Sequence, residues 1–311
     1  MKPRIVITGV AGFIGSNLAD RLLAEGYRVL GIDDLSFGAI SQVPRGVEFH
    51  QLDIRDLCGA GLIAPGDVVF HLAAKNCISD CQLDPVATAS TNVVGTVAVF
   101  EAARQAGARK VIYAESSALY EGTTQLPTPE DELQPHSFYA VSKAASMLFA
   151  DAYRRFHDMR FTALRYFCVY GPRQDYRRTV PPVMSAFIIR LMRGERPVIY
   201  GSGEKRRDFV HVDDVNDFHL LCIGDERTDH RTFNIGSGVS HSVNEIYRGI
   251  ARELGSDIKP DHQPDLPGEA QETLADIAAA RELGWSPRIG LTEGVRGLAR
   301  YYGEARIPWT A

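Results

Sequence analysis

A β-branched run, Ile5 to Ile7, opens the chain; three glycines spaced three apart follow, Gly9, Gly12 and Gly15, and an amphipathic stretch runs from Phe13 to Ala24. Short continuous apolar runs bounded by turn residues predict buried strands, and apolar positions at helical spacing predict a helix. The segment therefore reads as strand, tight turn, helix. The same rhythm returns downstream. Apolar Tyr27 to Ile32 ends at Asp33, Val47 to Leu52 ends at Asp53 and Ile54, and Asp67 to Leu72 ends at Ala73 and Ala74. A helix is predicted near Ala87 to Ala106, a fifth strand over Lys110 to Ala114, and a longer helix over Phe138 to Phe156. Strands alternating with helices predict an α/β fold with a doubly wound parallel sheet, in which ligands bind where the strands end. No internal repeat, low-complexity stretch or long charge run interrupts the pattern.

The glycine spacing gives the first chemistry. Gly9 can take a backbone shape that other residues reach only with strain, Gly12 lets the main chain approach a diphosphate, and Gly15 lets the helix pack on the strand. The N–H groups opening that helix would face an anion. Asp33 lies eighteen positions beyond Gly15, where an acid accepts hydrogen bonds from an adenosine ribose and would repel a 2′-phosphate. A dinucleotide site is expected, with NAD favoured over NADP.

Length, charge and cysteines narrow the picture further. A chain of 311 residues can bury a core and carry a second, smaller lobe. The net charge of -5 argues against nonspecific nucleic-acid binding, so an anionic ligand must meet a local basic cluster. The five cysteines, Cys58, Cys77, Cys81, Cys168 and Cys222, are odd in number and scattered, which suits a reducing, cytoplasmic compartment. Cys77 and Cys81 alone make a poor metal site, and none is expected. The first strand begins within four residues of Met1, which leaves no room for a cleaved signal peptide, and no apolar run is read as a membrane span.

Strand Lys110 to Ala114 runs into Glu115-Ser116-Ser117-Ala118-Leu119-Tyr120, and Tyr139-x-x-x-Lys143 follows. With Thr8 to Gly15, His71-Leu-Ala-Ala74, Leu164 to Arg173, Arg207 to Asp214 and Phe233 to Gly238, these stretches resemble the extended short-chain dehydrogenase/reductases of the NAD-dependent nucleotide-sugar epimerase/dehydratase family. The resemblance covers nearly the whole chain and is nearest to the UDP-glucose 4-epimerase type. It implies a Rossmann NAD-binding domain over 1–170 plus 207–236 and a discontinuous nucleotide-sugar lobe over 171–206 plus 237–311. It also implies NAD contacts at Gly9, Gly12, Phe13, Ile14, Gly15, Asp33, Asp34, Asp53, Ile54, Leu72, Ala73, Ala74, Asn92, Tyr139 and Lys143.

Tyr139 and Lys143 are four apart, so on a helix their side chains share one face. A tyrosine that takes a proton from a sugar hydroxyl near pH 7 must be brought down from about 10, at a cost of about 4 kcal/mol. Lys143⁺ and a positive nicotinamide are the obvious sources. Counting back four from Tyr120, the family pattern selects Ser116 as the hydroxyl partner, with Ser117 beside it. Catalytic roles are expected for Ser116, Tyr139 and Lys143, and substrate contacts for Ser116, Ser117, Cys168, Arg173, Arg207 and Thr273. The long helices also imply pairing into a homodimer. Asp213 and Asp214 read as structural, through helix capping.

Beyond Gly171 the alternation breaks up, and Arg173, Arg177, Arg178, Lys205, Arg206 and Arg207 gather in a chain that is otherwise acidic. Arginines offer paired donors to phosphate oxygens. Three residues depart from the family pattern. Cys168 replaces an asparagine that contacts substrate, Leu266 replaces an arginine before Pro267-Gly-Glu269, and Glu115 stands where serine is common. Glu115 could serve as gate, base or structural partner. Thr273 lies where the family tunes pocket size. The family's 4,6-dehydratases follow the catalytic hydroxyl with an Asp-Glu pair, whereas this chain has Ser117 and Ala118. The expectation is therefore C4 epimerisation of a nucleotide sugar of UDP-hexose or UDP-N-acetylhexosamine type, through a transient 4-keto sugar. The alternatives are a 4,6-dehydratase or 4-dehydrogenase, or a non-catalytic NAD-binding sensor or scaffold.

Overall fold

The computed structural model describes residues 2–174, 181–265 and 270–304. Arg177, Arg178, Leu266, Pro267 and Glu269 lie outside the described residues. In chain order the strands are β1 (Ile5–Thr8), β2 (Val29–Asp33), β3 (Glu48–Gln51), β4 (Val68–His71), β5 (Lys110–Ser116), β6 (Phe161–Tyr166), β7 (Cys168–Tyr170), β8 (Val198–Tyr200), β9 (Arg206–His211), β10 (Arg231–Ile235), β11 (Ser240–Ser242) and β12 (Asp261–Gln263). The helices are α1 (Phe13–Ala24), α2 (Ile78–Leu83), α3 (Pro85–Ala89), α4 (Gly95–Ala106), α5 (Phe138–His157), α6 (Val183–Met192), α7 (Val212–Gly224), α8 (Val243–Glu253), α9 (Ala278–Arg281) and α10 (Leu291–Glu304). A π-helical turn, Ser90–Val94, joins α3 to α4 in one continuous rod.

Seven parallel strands form the main sheet in the order β10-β6-β5-β4-β1-β2-β3. The chain winds outward from β1 to β3, then crosses to β4 and winds the other way. The order therefore reverses between β1 and β4, where diverging crossovers leave a crevice above the strand ends. β1, β2 and β4 are buried throughout, which explains their unbroken apolar runs. One face is covered by α1 and α7 through Leu18, Leu22, Val215 and Phe218, the other by α4 and α5 through Val99, Phe100, Ala103 and Ala150.

The sequence reads no membrane-span candidate, yet the rod from Pro85 to Ala106 contains an 18-residue stretch long and apolar enough to cross one, with a mean hydropathy of 1.2. Its apolar residues Val99, Phe100, Ala102 and Ala103 are core side chains of the sheet.

A second core gathers Tyr170, Met184, Phe187, Ile188, Ile199, Ile246, Ile250, Leu298 and Tyr302 from α6, α8, α10 and the short strands. Here β9 pairs with β7 and β11, and β8 pairs with β12. Residues Ala275, Ile277, Ala280, Leu283 and Trp285, which the expected division assigns to the nucleotide-sugar lobe, instead join the core around α7 and β10. The capping expectation for Asp213 and Asp214 is corrected. His211 caps α7, accepting from Asp213 N at 3.2 Å, while the Asp214 carboxylate accepts from Arg288 N (2.9 Å) and Ile289 N (3.1 Å).

Candidate active site

The crevice at the strand-order reversal continues into the second lobe as one cleft of about 1110 Å³. That exceeds the usual ~300–1,000 Å³ of a single small-molecule pocket, so it has room for two ligands side by side. Every candidate site residue among the described ones lines it except Asn92.

At one end the β1–α1 turn forms a cradle. Gly9 has φ +78°, and a Cβ there would lie 2.7 Å from Ala73 N; at Gly15 it would lie 2.1 Å from the Gly9 carbonyl oxygen. Both neighbours are main chain, so no side chain can be accommodated by rotation. Gly12 precedes helix α1 as a cap with no side chain, and no acid lies in the first turn, so the opening N–H groups are left to an anion. The Asp33 carboxylate, at the end of β2, accepts from Ala11 N (3.0 Å) and Leu35 N (2.9 Å), and burial pushes its pKa up. Asp53 is turned toward Arg55, whose N and Nε donate at 2.9 and 3.0 Å, which holds its carboxyl below the ordinary range. These groups fit a dinucleotide: a closely approachable backbone for the diphosphate, free N–H groups beside it, and an acid for the ribose.

Asn92 lies behind the cleft wall. It is 1% exposed, and its carboxamide clamps the Lys75 backbone, accepting from Lys75 N at 2.8 Å and donating to Lys75 O at 2.9 Å. It shapes the loop after β4 from behind, and the sequence holds no signal separating such a clamp from a direct contact.

Strand β5 runs two residues past the expected Ala114, carrying Glu115 and Ser116 to its tip. Ser116 Oγ accepts from Ala118 N at 3.2 Å as the cap of a short 3₁₀ turn, Ser117–Tyr120. Facing it, α5 begins at Phe138 after the Ser137 cap, in agreement with the apolar pattern, and brings Tyr139 and Lys143 into the cleft. Lys143 Nζ donates to the Ala114 carbonyl at 2.9 Å, and burial lowers its pKa to about 8, partly opposed by the Glu115 charge.

Glu115, whose role the sequence leaves open, is a buried ion-pair partner. Arg165 Nε donates to its Oε2 at 2.5 Å and Tyr113 OH to its Oε1 at 3.0 Å. Glu121, the next acid along, accepts from Ser137 Oγ (2.8 Å), Ser137 N (2.7 Å) and His136 N (3.1 Å).

Of the basic cluster, Arg207 and Lys205 line the cleft, Lys205 paired with Asp265. Arg206 instead points away, to Ser240 Oγ at 3.1 Å and Glu245 Oε1 at 3.3 Å. Arg173 lies against the first lobe, its guanidinium on Asp20 of α1 and its carbonyl accepting from Gln42 Nε2 at 3.3 Å. Asp208, wholly buried, accepts from Ser237 N (2.6 Å), Gly238 N (2.9 Å) and Ala275 N (3.0 Å), tying β9 to the segment that carries Thr273. Arg190 of α6 also lines the cleft and was not singled out in the sequence. A lone cation on an otherwise apolar helix was its signal.

Because the glycine cradle and the Tyr139–Lys143 face open into the same cleft, a dinucleotide on the first lobe would meet a ligand brought by the second. Fold and site together define a nicotinamide-dinucleotide enzyme of the doubly wound α/β class. The comparisons with known proteins give the family: residues 5–236 match the NAD dependent epimerase/dehydratase family, and the chain belongs to it. It is 38% identical over 309 residues to a UDP-glucose 4-epimerase of Mycolicibacterium smegmatis, covering 96% of this chain and 98% of that one. A UDP-glucose 4-epimerase from Thermotoga maritima, solved with UDP-glucose, superposes with a TM-score of 0.93 at 34% identity, over 97% of this chain and 99% of the other. A UDP-N-acetylglucosamine 4-epimerase from Methanobrevibacter ruminantium, in complex with UDP-N-acetylmuramic acid, also gives 0.93, at 30% identity over 98% of this chain and 100% of the other.

Proposed function

We propose that this protein is an NAD-dependent 4-epimerase of nucleotide sugars, of UDP-hexose or UDP-N-acetylhexosamine type. The observation that carries the reading is the state of the carboxylates around Ser116 and Tyr139. Removing water from a sugar needs an acid and a base at C6 and C5. Ser117 and Ala118 supply neither, while Glu115 is locked to Arg165 and Tyr113 and Glu121 to the start of α5. What is left is a hydroxyl, a phenol and an ammonium, which serve oxidation and reduction at a single carbinol carbon.

When bound, NAD supplies a hydride acceptor and donor for sugar C4. Tyr139 takes the proton of the 4-hydroxyl and gives it back, and Ser116 hydrogen-bonds the same oxygen. Lys143 lowers the cost of a Tyr139 phenolate by its positive charge. Asp33 holds the adenosine ribose and the α1 N-terminus the cofactor diphosphate. Arg207 meets the nucleotide diphosphate of the sugar, with Cys168 and Thr273 against the remainder of the substrate. The working division of the chain is an NAD-binding part, 1–170 plus 207–236, against whose core residues 275–285 pack, and a substrate part, 171–206 plus 237–311.

The same reading includes a cytoplasmic homodimer. All five cysteines are free thiols, as a reducing compartment favours. One face of α5 exposes Phe138, Val141, Leu148, Phe149 and Phe156, with Leu148 67% and Phe156 80% exposed, and Leu83 and Val86 stand exposed on the neighbouring helices. An apolar face of that extent suits a second copy of the chain.

The test is incubation with UDP-, GDP-, CDP- and dTDP-sugars in D₂O, followed by NMR of the anomeric protons. A second anomeric signal without deuterium at carbon supports epimerisation; deuterium at C5 with loss of the C6 hydroxymethyl signal overturns it in favour of dehydration. Tyr139→Phe is expected to lower turnover at least ~10³-fold while NAD stays bound, and unchanged turnover would remove Tyr139 from the mechanism.

A further inference from the structure

We propose that Glu115 is a positioning residue whose buried carboxylate keeps Lys143 an ammonium seated on the Ala114 carbonyl, so that strand β5 presents Ser116 and a charged Lys143 together. The importance of this arrangement rests on the proposed epimerase reaction. Glu115 and Arg165 are register partners on adjacent parallel strands, and their side chains are 0% and 2% exposed. Glu115 lies between the two residues that matter in β5: Ala114, whose carbonyl takes the Lys143 ammonium at 2.9 Å, and Ser116.

Helix α5 covers this spot with a single face. Tyr139, Lys143 and Met147 are spaced four apart, and Met147 Sδ meets Arg165 Nη2 at 3.5 Å. The ion pair thus sits under the helix face that carries the reacting phenol. Its two ends are not equivalent. The guanidinium is drawn toward Tyr120 OH (2.9 Å) and the Glu130 carbonyl, whereas the carboxylate is held at β5 by Tyr113 OH, two residues back on the same strand.

The groups bearing on Lys143 can be taken element by element. Glu115 on β5 opposes the effect of burial, and the Cys81 thiol of α2 acts in the same direction. His71 on β4 is kept neutral by burial and by Lys143 itself, and Tyr139 lies on the lysine's own helix. Beyond Arg165, Glu130 and Tyr120 face the far end of the pair, and Glu121 is engaged with Ser137. Among these, Glu115 is the fixed anion adjacent in sequence to the carbonyl that holds the ammonium. Without it, the lowering of Lys143 by burial would be less opposed.

The experiment uses the NAD-loaded protein labelled with ¹³C at lysine Cε, the Lys143 resonance being assigned by its loss in Lys143→Arg. Its titration is followed in wild type, in Glu115→Gln and in Glu115→Gln/Arg165→Met, alongside the pH profile of kcat/KM. The expected result is a Lys143 midpoint lower by about one pH unit or more in Glu115→Gln, with the alkaline limb of the profile moving down equally. The double variant, which removes both charges and avoids a stranded guanidinium, should keep the lowered midpoint. An unmoved midpoint in both variants, or a double variant that regains the wild-type value, overturns the proposal and reduces Glu115 to a counterion for Arg165. If Glu115→Gln does not fold, the double variant decides alone. The NMR midpoint does not depend on which sugar reacts, so failure of the epimerase reading remains distinguishable.

Discussion

Lowering the pH from 7 to 5 protonates histidines in the unfolded chain that the folded protein keeps neutral. His71, at the end of β4, bonds Thr8 Oγ1 through Nδ1 (2.8 Å) and Thr96 Oγ1 through Nε2 (2.9 Å). Thr96 already donates its proton to Asn92 O at 2.6 Å, so it accepts from His71; the ring proton is on Nε2, and Nδ1 accepts from Thr8. Protonating Nδ1 would replace that acceptor with a second donor. His219 is similarly enclosed, by Tyr166 OH at 2.6 Å and Asn216 Oδ1 at 3.2 Å. Burial lowers both rings to about 3. The unfolded value is about 6.5, so the stability from each is whole above that pH and drains away as the pH falls toward 3. Between pH 7 and 5 this amounts to about 2 kcal/mol for each ring, or about 4 kcal/mol together, a large part of a typical ~5–15 kcal/mol. Asp33, Glu130 and Asp208, whose pKa values are raised, act in the opposite sense, because they bind protons sooner when folded. Comparing wild type with His71→Gln cancels them. Urea unfolding at both pH values should show the acid-induced loss reduced by about 2 kcal/mol in the variant, whatever its stability at pH 7. The same loss in both proteins would refute the reasoning.

Gly15→Ala places a methyl 2.1 Å from the Gly9 carbonyl oxygen; it should cost about 1–3 kcal/mol in thermal or urea unfolding and weaken NAD binding by an order of magnitude or more in a fluorescence titration. Arg207→Ala should raise KM for the nucleotide sugar by about tenfold, the worth of one charge-assisted contact, and Arg173→Ala should raise it less, because its guanidinium is held on Asp20 of α1; an unchanged KM in Arg207→Ala would invalidate its place at the diphosphate. Leu148→Glu, in the middle of the exposed α5 face, should give a monomer by light scattering, and an unchanged mass would remove that face from the proposed dimer.

The parallel sheet could be read in advance because strands buried on both faces carry unbroken apolar runs, as Ile5–Ile7 and Val68–Phe70 do. The cradle was readable because a diphosphate-binding turn imposes glycine at fixed spacing. Partnership between side chains far apart in sequence was not. Nothing local distinguishes Arg173, which turns back to α1, from Arg207 on β9, since the direction of each depends on Asp20 and on the Asp208 clamp. The Asn92 clamp was hidden for the same reason: a carboxamide can address a cofactor or a backbone, and its bond to Lys75 appears only in the fold. Glu115 became intelligible once β6 placed Arg165 opposite it.

These long-range partnerships also reach the segment that carries Thr273. Arg165 reaches Tyr120, whose hydroxyl donates to Asn234 Oδ1 at 2.7 Å, and Asn234 Nδ2 donates to Thr128 O (2.9 Å) and Asp276 O (3.1 Å). Thr128 in turn is bridged by its own backbone to Leu274 and Asp276, donating to the Leu274 carbonyl at 2.8 Å and accepting from Asp276 N at 3.1 Å. Thr273, at the cleft wall, is therefore a few bonded steps from Glu115, and through it from Ser116 and Lys143. Each polar group in that chain is buried or half-buried, so breaking one leaves its neighbours unsatisfied and the cost spreads along the network. The Thr273 side of the cleft and the Ser116–Lys143 side thus share one frame. A cleft wide enough for two ligands can hold them in fixed register only if its two walls are braced against each other in this way.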